Sequence, residues 1–193
     1  MRLSHFDPLG PLDAIPASTI CSAYAKALAY DGAAQGSTLL KNVGATLPLD
    51  KGGAAAARVA VIGPNANLSA SIATYYAGQS PCSGKFWNLV DAVETFAPNT
   101  VSALGLPSVL STNLSGIPAA VAMAKGASTV IMAVGTNLDF AAEGHDAVNV
   151  SVPYGQARLV EAVADAAAAP ITIVLFTANP LDVSAWMANP KIG

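Results

Sequence analysis

The sequence predicts an α/β sandwich, an open and mostly parallel β-sheet with helices packed on its faces. Three observations carry that expectation. Residues 58–62, 128–134 and 171–176 are apolar, β-branched runs with little polar alternation, as in strands buried on both sides. Segments with helical periodicity separate them, which is the order of β–α–β units. Each run ends in a polar turn: Gly63-Pro64-Asn65, Gly135-Thr136-Asn137 and Ala178-Asn179-Pro180. A chain of 193 residues is long enough for one domain with its own core. It falls short of the roughly 250 residues that a (β/α)8 barrel takes.

Along the chain, residues 1–17 contain Pro8, Gly10, Pro11 and Pro16 without apolar periodicity, and read as a linker or arm. That leaves 18–193 for the sandwich. Ser18 is a candidate N-cap for a helix to about Tyr30, with Ile20, Tyr24, Ala27 and Leu28 at helical spacing. Leu39, Leu40 and residues 47–49 flank Gly44 and read as a short hairpin or paired extended segments. After the strand at 58–62 come a helical pattern at 88–96 and a short strand at 100–104. Residues 117–125 form an Ala-rich helix with Pro118 in its first turn, where no N–H is needed. The strand at 128–134 leads through a loop to an amphipathic helix at 154–168, which buries Leu159, Val160 and Val163. A strand at 171–176 and a further element from Val183 complete the order. Residues 189–193 approach another element, so the sheet reads as incomplete at its C-terminal end.

Composition narrows the function. The chain is 53% hydrophobic and 11% charged, against about 25% charged in ordinary soluble domains. Its mean hydropathy of +0.48 excludes disorder. Nine Lys and Arg against twelve Asp and Glu give a net charge of −3, which excludes the clustered basic surface of a nucleic-acid binder. The longest apolar runs fall far short of the ~20 residues of a membrane span, so no membrane partner is expected. The N-terminus lacks the apolar core of a secretory signal. Sequons at Asn67, Asn113 and Asn149 are glycosylation candidates and lean towards a secreted, extracellular or cell-wall location. Cys21 and Cys82 could form one disulfide or stay as two free thiols. No cofactor is implied. No glycine-rich phosphate loop comes after a strand, and Ser69, Ser71 and Ser80 lack the Gly-x-Ser-x-Gly elbow of a hydrolase nucleophile.

Open parallel sheets bind ligands beyond the carboxyl ends of their strands. The three polar turns should therefore share one rim. The longest loop there, 135–152, holds Asp139, Glu143, His145, Asp146 and Asn149, with three of the chain's twelve acids inside eight residues. Three readings fit this cluster: a solvated loop whose acids cap the next helix, a metal site without diagnostic spacing, or a general acid/base carboxylate among sugar-hydroxyl ligands. No metal is assigned. Asn65, Asn137, Asp139, His145 and Asp146 are the candidate sugar-binding residues, because sugar hydroxyls need both donors and acceptors. Trp87 and Trp186 suit either sugar stacking or core packing. Tyr75 and Tyr76 precede Gly78 and Cys82 near the same rim, and His5 lies in the arm.

Several segments, in order, resemble a known family. QGSTLLKN at 35–42, LPL at 47–49 and VAVIGPNA at 59–66 are similar to the C-terminal α/β-sandwich domain of glycoside hydrolase family 3, nearest its β-xylosidase branch. YYAGQSPC at 75–82 resembles that branch's Y-x-G-x-P-C loop, with one extra residue before the proline. AEGHD at 142–146, with Val152, Pro153 and Gln156, is similar to its E-A-E-x-x-D-R and L-P-G-x-Q segment. PLDV at 180–183 and NPKIG at 189–193 resemble the family's next segments towards its C-terminus. Arg2, Leu3, Phe6 and Asp7 resemble the linker that leaves the family's barrel.

The resemblance implies a retaining β-glycosidase whose two carboxylates flank the scissile bond about 5 Å apart. The nucleophilic aspartate belongs to the barrel domain, and the acid/base glutamate carries over to Glu143 as the best match; were it the pattern's first glutamate, which falls on Ala141, this chain would lack it. It implies a β-linked xyloside or glucoside as substrate and a barrel domain or chain as partner. Ala141 stands where the pattern has its first glutamate, and Ala147 where it has arginine. The family's later cysteine has no counterpart, which leaves Cys82 without that mate. The implied function is O-glycosyl hydrolysis that needs a barrel. The alternatives are a non-catalytic assembly protein, forming homo-oligomers through a sheet edge and the arm, and a sugar-binding module.

Overall fold

Four parallel strands form one open sheet in a computed structural model of the chain, which describes residues 10, 12–50, 57–69, 76, 82 and 84–193. In chain order the elements are α1 (Ala23–Gly36), β1 (Val59–Ile62), α2 (Leu89–Glu94), β2 (Val101–Ala103), α3 (Ile117–Lys125), β3 (Thr129–Gly135), α4 (Tyr154–Ala166), β4 (Thr172–Phe176) and α5 (Ser184–Ala188). The strand order β2-β1-β3-β4 is parallel throughout. The expected α/β fold is therefore the observed one.

Side-chain alternation explains why these apolar runs become central strands. Ala60, Ile62, Val130, Met132 and Val134 face one layer, packed with Ala120 and Ala124 of α3 and with Leu159, Val160 and Val163 of α4. Val59, Val61, Ile131 and Ala133 face the other, against Ala97, Ala66 and the Leu89–Val93 side of α2. Every residue of β1 is buried, so its four side chains contribute on both faces. The helices start where the sequence supplies caps. Asn88 Oδ1 accepts from Asp91 N at 2.9 Å while Asp91 Oδ2 accepts from Asn88 N at 3.3 Å, a reciprocal capping box. Trp186 lies in the core, only 9% exposed, whereas Trp87 is open to solvent. Beside β4, Ile192 pairs in parallel with Ile171, so residues 191–193 reach the sheet.

The chain divides into two compact units, 1–40 with 80–85, and 41–79 with 86–193. The second holds the sheet. In the first, the expectation of a helix capped by Ser18 is corrected. A 3-10 turn occupies Ala17–Thr19, and α1 begins later, with Ser22 Oγ accepting from Ala25 N at 3.2 Å. None of α1 is buried; Tyr24 is 76% exposed, so the helical spacing did not mark a buried stripe. Cys21 and Cys82 form a disulfide with Cα atoms 5.4 Å apart, which decides for the one-disulfide alternative over two free thiols and gives Cys82 a mate other than the family's later cysteine. The bond closes a loop with a sequence separation of 61. A loop of that length stabilises by about 4 kcal/mol in the chain-entropy model.

A second correction concerns 39–49, which contains no strand. Asn42 closes this segment instead. Its Nδ2 donates to Leu47 O and its Oδ1 accepts from Leu47 N, both at 2.9 Å, around Gly44 at φ 71°. One side-chain amide thus supplies the hydrogen bonds that a paired strand would have given. The neighbouring Lys41 donates to Asn189 O at 2.7 Å, satisfying a carbonyl just past the end of α5. His5, Ser71, Tyr75, Ser80 and the linker residues Arg2, Leu3, Phe6 and Asp7 lie outside the described residues.

Candidate functional site

Because all four strands run the same way, the turns after β1, β3 and β4 share the carboxyl rim of the sheet. Between β1 and β3 the connections diverge: the chain leaves β1 for β2 on one side, then crosses to β3 on the other. Such a switch point is where open α/β sheets form ligand crevices.

Both central strands end in the same way. Gly63 has φ 139° and Gly135 has φ 127°, and a Cβ at either would stand 2.0 Å from a carbonyl oxygen of the next strand, Ala133 O or Phe176 O. Glycine alone allows this approach. The turns stay bonded to the sheet beyond the strands, through Asn65 N to Ala133 O at 3.1 Å and Thr136 N to Phe176 O at 2.7 Å.

Two buried amides hold the rim from beneath. Asn65, 1% exposed, donates from Nδ2 to Thr136 O at 3.3 Å and links the β1 and β3 turns. Its Oδ1 has no hydrogen-bond partner among the described residues. Gln156, on α4, is fully buried. Its Oε1 accepts from Gly135 N, and its Nε2 donates to Gly135 O and Val109 O, all at 2.8 Å. It therefore fixes the residue from which the long loop departs. Above these amides, a cleft of about 280 Å³ opens between the ends of β3 and β4. Leu68, Thr136, Asn137, Ala141 and Thr177 line it, and the Thr136 hydroxyl donates to that of Thr177 at 3.2 Å.

The loop after β3 is built from short local closures. Asn137 Oδ1 accepts from Asp139 N at 2.9 Å and its Nδ2 donates to Asp139 Oδ2 at 3.2 Å, so these two candidates form one closed turn. Ala142 and His145 then pair as an antiparallel bridge, N–H to carbonyl in both directions at 2.8 and 2.9 Å. Glu143 and Gly144 form the tip of this hairpin, with Gly144 at φ 74°. The tip is exposed, as are His145 and Asp146. The Tyr76 hydroxyl donates to Glu143 Oε2 at 2.8 Å. The loop is pinned again where Ser151 bridges Asp182 and Asp182 N donates to Val150 O at 2.6 Å. The Asp182 carboxylate accepts from the hydroxyl and the backbone N–H of Ser184, which together hold its pKa below the ordinary 3.8.

The structure thus brings Glu143 to a hairpin tip, joins Asn137 to Asp139, and sets Asn65 under the rim. The Tyr76 contact was not legible, since it spans 67 positions between two loops. Gln156 left a trace: a polar residue in the register of Leu159, Val160 and Val163 on the buried stripe of α4. Among the described residues, no three His, Cys, Asp or Glu side chains gather as metal ligands, and no helix is long and apolar enough to cross a membrane.

A family model described as the glycosyl hydrolase family 3 C-terminal domain matches residues 37–193. A protein of Arabidopsis thaliana named probable beta-D-xylosidase 7 is 37% identical over 183 residues, 95% of this chain and 23% of that protein. A beta-xylosidase/alpha-L-arabinofuranosidase 1 of Medicago sativa subsp. varia is 36% identical across all of this chain and 24% of its own length. The chain thus spans about a quarter of the curated relatives it matches. Among solved structures, a GH3 exo-beta-xylosidase (XlnD) in complex with a xylobiose aziridine activity-based probe superposes with a TM-score of 0.76 at 28% identity. The overlap covers 95% of this chain and 23% of that one. A beta-glucosidase from Listeria innocua, at 19% identity and a TM-score of 0.71 over 86% of this chain and 22% of its own, shares the fold.

Proposed function

As the chain belongs to the glycosyl hydrolase family 3 C-terminal domain family, we propose that it forms the sandwich lobe of a retaining β-glycosidase acting on β-linked xylosides or glucosides. Its partner is a (β/α)8 barrel that carries the nucleophile, on the same or another polypeptide. The observation that carries this reading is the presentation of Glu143 at the tip of a rim hairpin, in the longest loop of the site.

In the first step the barrel carboxylate attacks the anomeric carbon while protonated Glu143 gives its proton to the departing glycosidic oxygen. In the second, ionised Glu143 takes a proton from water as that water displaces the barrel carboxylate and releases the sugar. Asn137, Asp139, His145 and Asp146 flank the hairpin and offer donors and acceptors to sugar hydroxyls. Asn65 acts beneath them, by tying the β1 turn to the β3 turn.

A lobe without a nucleophile cannot complete this displacement. The purified chain alone should therefore leave nitrophenyl β-xyloside and β-glucoside unhydrolysed above background, and gain turnover when joined to a family 3 barrel. Hydrolysis by the chain alone that Glu143→Gln abolishes would contradict the division of labour.

The same reading places the protein outside the cell or in the cell wall. A disulfide persists in oxidising compartments, and the asparagines of all three sequons, Asn67, Asn113 and Asn149, are exposed. Expression through a eukaryotic secretory route should give a band that shifts to lower mass on enzymatic deglycosylation. An unshifted, fully secreted band would remove the glycoprotein part of the proposal.

A further inference from the structure

We propose that Tyr76 is a positioning residue for Glu143, fixing which carboxyl oxygen exchanges the proton; the inference rests on the acid/base reading above. A glutamate at an exposed hairpin tip has several rotamers, and ordering such a side chain costs conformational entropy. General acid catalysis needs the proton within hydrogen-bond reach of one particular oxygen of the substrate. Some group must therefore hold the carboxyl. Within the loop, Ala141 and Ala147 have no polar side-chain atom to do so. The Tyr76 hydroxyl does, at 2.8 Å from Oε2, and it comes from the segment after β1 on the other side of the switch point.

The consequence is a division between the two oxygens. Oε2 accepts from the Tyr76 hydroxyl in either protonation state, because a tyrosine donor pairs with the carbonyl oxygen of the acid and, more strongly, with a carboxylate oxygen. The transferable proton is then confined to Oε1. The oxygen that protonates the leaving group is the one that later deprotonates water, and the side chain need not turn between the steps.

The test compares Tyr76→Phe with Glu143→Gln, in the chain joined to a family 3 barrel, on two β-xylosides. One has a sugar leaving group that needs protonation, and the other a dinitrophenolate that does not. Tyr76→Phe should lower kcat/KM, which reports the step that expels the leaving group, about tenfold more on the first than on the second. Equal losses on both substrates, or none on either, would overturn the role of Tyr76 provided that Glu143→Gln discriminates between them. If Glu143→Gln itself fails to discriminate, the acid/base reading fails instead. A double-mutant cycle on the chain alone gives an independent readout. Tyr76 is 79% exposed, so the phenylalanine variant keeps its fold. Tyr76→Phe and Glu143→Ala, which removes both carboxyl oxygens, should be coupled by about threefold in the unfolding equilibrium, and strict additivity would overturn the contact.

Discussion

Gly135→Ala should lose about 3–6 kcal/mol of folding stability, a large part of the 5–15 kcal/mol that holds a typical domain together. At φ 127° the backbone lies in a region that L side chains rarely adopt, and a methyl group there would stand 2.0 Å from Phe176 O. That oxygen cannot give way cheaply, because it is held by Thr136 N at 2.7 Å and belongs to the adjoining strand. Relief requires β4 to move away from β3, stretching the ladder and opening the Gln156 bracket at the same residue. Strain of this kind costs about 1–3 kcal/mol, overpacking a similar amount, and each lost hydrogen bond about 1 kcal/mol. Gly63→Ala should behave alike, since its methyl would meet Ala133 O at 2.0 Å. Gly32, inside α1 with nothing within 4 Å, is the control; alanine there should stabilise by about 0.5–1 kcal/mol. Urea denaturation of the three variants measures this directly. A wild-type midpoint for Gly135→Ala would show that the strand end is looser than described.

The second large effect concerns chemistry. In the chain joined to a family 3 barrel, Glu143→Gln should lower kcat on substrates with sugar leaving groups by about 10²–10⁴, the usual contribution of general acid–base catalysis. That corresponds to about 3–5 kcal/mol of transition-state stabilisation. Glutamine retains a carbonyl oxygen that can accept from Tyr76, so the side chain stays anchored while its exchangeable acid proton is lost. Steady-state kinetics should show the loss in kcat with KM little altered. A Glu143→Gln enzyme within threefold of wild type on a sugar leaving group would exclude Glu143 from proton transfer.

The contrast between what was legible and what was not has a physical basis. Burial on both faces forces an unbroken apolar run, and β1 and β3 were therefore readable; the half-buried β4 carries a similar run, and α3 spans the expected 117–125. Elements that owe their form to a single remote or side-chain bond left weaker traces. The 39–49 segment has strand-like leucines, yet the Asn42 amide closes it without a strand. Ser18 and Ser22 both satisfy the N-cap pattern, and only the 3-10 turn at Ala17–Thr19 favours the later one. The Cys21–Cys82 bond joins two cysteines that the sequence left open between one disulfide and two free thiols. At the site, polar turns after apolar runs announced the rim, and the clustered acids announced the loop. Neither distinguished Asn65, sealed under the turns, from Glu143, raised on a hairpin tip. That difference is set by three-dimensional packing alone.

Replacing Glu143 by alanine in the barrel-joined enzyme, and adding azide, is the decisive experiment on its acid/base role. Without the acid/base, hydrolysis of the glycosyl-enzyme is slow, and removal of the negative charge lets a small anion attack in place of water. Turnover of dinitrophenyl β-xyloside by Glu143→Ala should rise with azide concentration and yield the β-configured xylosyl azide, retained by double displacement. A Glu143→Ala enzyme with wild-type turnover that azide does not change, and no xylosyl azide among its products, would contradict the acid/base role.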